Sequence, residues 1–100
     1  MYIDVLVRRA FQTQTLSAAY GADLVIPVGA SDVTVTLSDP AIGFTVQDQA
    51  AGAGEEGVPA GSSWALGTSS SLAASVTIKI KSASGTPVAM LAYFLPVAVS

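Results

Sequence analysis

Cysteine and histidine are both absent from this chain, and each absence removes a block of chemistry. Without cysteine there is no disulfide framework, no thiolate nucleophile and no thiolate zinc site. Without histidine the commonest general base and the commonest metal ligand are missing, and the plentiful serines cannot join a Ser-His-Asp triad. Charge is scarce too: four cations and seven acids in 100 residues leave a net charge of −3. The cations fall in two pairs, Arg8 with Arg9 and Lys79 with Lys81, which is no basic groove. Following a phosphate backbone needs clustered cations, so nucleic acid is not an expected partner. A membrane is not expected either, because the longest apolar stretch, Val88 to Val99, is too short for a spanning helix and contains Pro96. Asp4 interrupts the apolar start and Arg8-Arg9 follows it, the reverse of a signal peptide. The expectation is a protein used soluble, or assembled into a larger particle in the cytosol.

What the chain does have is apolar surface. Apolar residues make up 51% of it, which excludes intrinsic disorder and suits a single domain over residues 1–100. A fold this small without disulfides is held by its core or by its neighbours. Ser, Thr, Ala and Gly must supply much of the exposed area, and so little surface charge favours a chain covered in part by another chain.

Period-two alternation dominates, and it predicts an all-β fold, an antiparallel β-sandwich or a jelly-roll-like small barrel. Ile3, Val5 and Val7 alternate with Asp4, Leu6 and Arg8. Leu24, Ile26 and Val28 form a second run, and Val33, Val35 and Leu37 alternate with Asp32, Thr34, Thr36 and Ser38. Phe44 and Val46 follow a Ser38-Asp39-Pro40 turn; Val76, Ile78 and Ile80 face away from Thr77, Lys79 and Lys81. Ser82 to Thr86 reads as a hairpin turn into Val88 to Leu95. Between Arg8 and Tyr20 a short helix competes with strand, and Thr13, Thr15 and Ser17 favour strand. Gln49 to Ser63, with Ala-Gly-Ala-Gly-Glu-Glu-Gly inside it, reads as one long loop, and Gly67 to Ser75 as a turn or irregular strand. Ile26-Pro27-Val28-Gly29-Ala30-Ser31 is echoed by Val58-Pro59-Ala60-Gly61-Ser62-Ser63. Proline presets φ and glycine relieves a turn, so both segments suit tight corners between antiparallel strands, at equivalent places in two halves of a sandwich.

Little here suits catalysis, and no cofactor or metal is expected. There is no Gly-x-Ser-x-Gly elbow, no phosphate loop and no EF-hand spacing. Glu55-Glu56 lies among glycines, ill suited to the fixed carboxylate spacing of a glycosidase, and with Asp32, Asp39 and Asp48 reads as solvated surface acid. Trp64, Tyr2, Tyr20 and Tyr93 offer a stacking surface for a sugar ring, but a lone Trp beside a turn is more often a core or interface anchor. Lys79 and Lys81 share a face where they discourage edge-to-edge pairing.

The sharpest signal is the last strand. Val88, Met90, Ala92 and Phe94 share one face, while Ala89, Leu91, Tyr93 and Leu95 share the other. Both faces are apolar, so both call for cover: one by the subunit core and the other by a neighbouring chain, or both within a closed barrel. The expected interface is Val88, Met90, Leu91, Tyr93, Phe94, Leu95 and Val97, with Trp64.

The runs Ile26 to Leu37 and Val58 to Leu66 resemble segments of small structural proteins of tailed-bacteriophage virions, among them capsid decoration or cement proteins and β-rich parts of fibres and spikes. The resemblance implies a homo-oligomer, commonly a trimer, assembled in the host cytoplasm and added in many copies to the capsid surface. Its partner there would be the major capsid protein or another virion protein. The alternative it implies is a fibre or spike component that binds a host glycan. It carries no catalytic residues to transfer.

Overall fold

A computed structural model describes residues 6–48, 54–66 and 72–97. Among the described residues eight strands form in chain order: β1 (Leu6–Thr15), β2 (Leu24–Ile26), β3 (Ser31–Leu37), β4 (Phe44–Asp48), β5 (Gly54–Val58), β6 (Trp64–Ala65), β7 (Val76–Ser82) and β8 (Val88–Val97). They make two antiparallel four-stranded sheets, sheet A in the order β1-β8-β3-β6 and sheet B in the order β2-β7-β4-β5. The first strand pairs with the last, the second with the seventh, the third with the sixth and the fourth with the fifth. A long antiparallel ribbon folded back and wrapped into two layers gives this pairing, and it is the jelly-roll form of the β-sandwich.

The alternation in the sequence sets the layers. Val33 and Val35 in β3, Phe44 and Val46 in β4, and Val76, Ile78 and Ile80 in β7 are buried between the sheets. So are Ala89, Leu91 and Tyr93 in β8, with Leu16, Leu24 and Ile26 beside them. Fully burying a side chain of this kind contributes roughly 1.5–3 kcal/mol, an upper figure because unfolded chains already hide some apolar surface.

Three expectations need correction. The stretch from Gln49 to Ser63 is not one loop: residues 54–58 form β5, paired residue for residue with β4 from Gly54↔Asp48 to Val58↔Phe44. Glycine and glutamate have poor strand propensity, but backbone pairing to β4 holds this edge strand regardless. The turn after Ser82 does not close a hairpin either. β7 lies in sheet B and β8 in sheet A, so residues 83–87 carry the chain between layers and each strand keeps its apolar face inward. Lys79 and Lys81 stand on β7, a central strand, and so guard no edge. The strand reading of Arg8 to Tyr20 holds through Thr15, while Val28 is an exposed turn residue. The opening residues Met1 to Val5, with Ile3 and Tyr2, fall outside the described residues, as do 49–53 and 67–71.

The two echoed segments take the same conformation. Gly29 and Gly61 have φ of 87° and 80°, and each turn is closed by a backbone bond, Ala30 N–H to Pro27 O and Ser62 N–H to Pro59 O. They stand at equivalent corners of the sandwich, as the echo suggests, and the strands they join lie in different sheets. Both lift the chain from an edge strand of sheet B into sheet A, from β2 to β3 and from β5 to β6.

Candidate functional site: the outer face of sheet A

β8 runs between β1 and β3, so its outward side chains form the middle column of sheet A's solvent face. Cross-strand neighbours share a face, and the register reads off the rows. Thr13, Met90 and Thr36 make one row; Phe11, Ala92, Thr34 and Ala65 make the next; Arg9, Phe94 and Ser31 make the third. Val88 extends the middle column beside Thr15. Phe11 is 52% exposed, Val88 39% and Met90 38%, values that set this face apart from a buried layer. Arg9 lays its guanidinium over two rings of the patch, 5.2 Å from the Phe11 centroid and 6.0 Å from that of Phe94. Its charge therefore sits on the apolar strip rather than away from it.

The expected interface divides along the pleat. Val88, Met90 and the half-buried Phe94 lie on this outer face. Leu91 and Tyr93 do not: they are buried in the subunit's own core, with Leu95 packed partly against it. The structure describes no side chain at Val97. Trp64 is buried as well, at the edge where β6 faces β5, and its indole nitrogen donates to Glu56 Oε2 at 3.0 Å. The sequence reading missed Phe11 and Arg9. Register against β8 brings them in, and the one local signal is a phenylalanine that alternates with Arg9, Thr13 and Thr15 in β1.

The outer face of sheet B exposes Val25 but is otherwise largely polar, with several of its side chains paired to one another. On sheet B's outer surface Tyr20 O–H donates to Glu55 Oε1 at 2.6 Å, and the Lys81 ammonium lies 4.7 Å from the Tyr20 ring centroid. Partial burial, then the hydrogen bond and the negative charge of Glu55, push the Tyr20 hydroxyl up to about 12. Lys79 pairs with Asp23 at 3.6 Å. Glu55 and Glu56 are both exposed, in line with the surface-acid reading, and each accepts from its own partner, on opposite sides of β5. Asp39 caps its own turn, its Oδ1 accepting from Ala41 N–H at 2.9 Å, beside a shallow cleft of about 180 Å³ that Thr36, Ser62 and Ser63 help to line. Among the described residues no three acidic or metal-ligating side chains converge.

Compared with protein-family models, with curated proteins and with solved structures, the chain finds no match.

Proposed function

We propose that this chain is a structural subunit of a virus particle, a decoration or cement protein on the capsid surface of a tailed bacteriophage. The observation that carries the reading is the exposed apolar patch of sheet A, Val88 and Met90 of β8 with Phe11 of β1, on a chain with few charges. Such a face is at rest only when a neighbour covers it. The jelly-roll wrapping supports the reading by analogy, since virion domains use it widely, although lectins and cupins use it too. The work is mechanical rather than catalytic. Neighbouring chains, copies of this one or the major capsid protein, are bridged as apolar area leaves water. At ~25 cal/mol per Å² even modest contacts, repeated over a shell, resist expansion of the particle. Assembly would take place in the host cytoplasm, with no cofactor.

For the fibre or spike alternative, Trp64 and Tyr93 are turned into the core, and of the expected stacking residues Tyr20 is the one on the described surface. The test is addition of the purified chain to capsids from a phage deleted for its gene. Saturable co-sedimentation in many copies per shell, with a higher capsid melting temperature, is the expected result. No binding to such shells would rule the reading out.

A further inference from the structure

The apolar column of sheet A is flanked by opposite charges. Phe94 has Arg9 of β1 as its neighbour on one side and Ser31 of β3 on the other. Between Ser31 and Thr34 the register of β3 shifts, and Asp32 in that step is exposed, with φ of 50°. Among the described residues Asp32 forms no ion pair, and the contacts of the Arg9 guanidinium are with the two rings. The face therefore reads positive, apolar, negative from β1 across β8 to β3.

We propose that this face is covered by a second copy of the chain, the two A sheets stacked about a two-fold axis that runs along β8. Rotation about that axis exchanges the β1 side with the β3 side. Arg9 of each copy then lies over Asp32 of the other, and Met90 and Phe94 meet their own counterparts. Stacked sheets with aligned strands are an ordinary packing mode, and a two-fold contact requires only that one patch complement itself. The charge pattern favours a copy over an unrelated partner. An acidic surface would meet Asp32 with like charge and a basic one would meet Arg9, whereas the same face turned over satisfies both. A three-fold contact is heterologous and sets the patch against some other surface, so the pair replaces the trimer that the resemblance implies. The inference rests on the reading of this face as a covered surface, and it leaves sheet B and the ends of the sandwich to meet the shell.

The experiment is sedimentation equilibrium on the full chain and two charge variants, Arg9→Glu and Asp32→Lys, with circular dichroism to confirm that each is folded. The wild type is expected to be a dimer at micromolar concentration. Each variant alone sets like charges against each other twice and should dimerise at least tenfold more weakly. Mixed in equal amounts, the two variants recover both opposite-charge contacts and should form a heterodimer about as tight as the wild type. Phe11→Ser, which leaves the charges and the core alone, should also weaken the dimer. A monomeric or trimeric wild type, or variants that pair with themselves as well as with each other, overturns the proposal. Binding to deleted capsids is scored separately: a monomer that binds them through this face removes the pair and keeps the particle role, and a dimer that ignores them does the reverse.

Discussion

Trp64 and Glu56 tie sheet A to sheet B along one open edge, the indole nitrogen of β6 donating to the carboxylate of β5 at 3.0 Å. β5 and β6 are both edge strands, joined by the 59–63 corner, and this bond adds a side-chain tie between them. Hydrogen bonds to charged groups contribute about 1.5–3 kcal/mol when well shielded, and the exposure of Glu56 places this one near the bottom of that range. Glu56→Ala should cost about 1–2 kcal/mol in urea unfolding followed by the fluorescence of the single tryptophan. Glu56→Gln, which keeps an acceptor oxygen, should cost less. Equal stability of Glu56→Ala and wild type would show that the edge is held by other means.

The opposite edge is closed by an amide. Gln12 Nε2 donates to Val25 O of β2 at 2.8 Å and to Tyr93 O–H at 3.0 Å, linking the layers and satisfying a buried phenol. Gln12→Leu keeps the size but takes the partner from the partly buried Tyr93 hydroxyl, while water can still reach Val25 O, so a loss of about 1–2 kcal/mol is expected. Gln12→Leu combined with Tyr93→Phe should recover part of it, because the phenol no longer needs a donor. A double-mutant cycle by denaturant unfolding measures this coupling.

Alkaline pH should loosen the Tyr20 contact. Its hydroxyl is raised from 10.0 to about 12, so the folded state holds this proton more tightly than the unfolded one. The stabilisation is complete below pH 10 and disappears as the pH climbs through about 12. Tyr20→Phe lacks the bond at every pH, so the stability gap between it and the wild type should close over that window. Ultraviolet titration should show one tyrosine ionising late in the wild type and not in the variant.

The echoed corners should respond alike. Gly29 and Gly61 hold φ of 87° and 80°, a region that costs a side-chain-bearing residue about 1–2 kcal/mol. Gly29→Ala and Gly61→Ala should each lower stability by about that much. They lie at different corners of the sandwich, so thermal unfolding of the double variant should show the two losses adding within ~0.5 kcal/mol.

Those corners also mark where local sequence stops informing. Pro-x-Gly chemistry announces a turn but does not say whether the next strand joins the same sheet, and residues 83–87 raised the same ambiguity. Strands with a β-branched alternation, such as Val76-Ile78-Ile80, were legible because one face had to be apolar. β5 was not, because Gly-Glu-Glu-Gly becomes a strand only through β4. The candidate face was half legible for a related reason. Period two separates Met90 and Phe94 from Leu91 and Tyr93, but not which set meets the core; the neighbours on β1 and β3 decide that. Phe11 and Arg9 join the patch through residues about 80 positions away in the chain, a distance no local pattern spans.

Cryo-electron microscopy of particles purified from the host that makes this chain tests the central claim most directly. The expected result is the jelly roll in many copies on the outside of the shell, with Phe11, Val88 and Met90 covered by a neighbouring chain. Shells that lack it, or copies whose sheet A face stands open to solvent, would contradict the account.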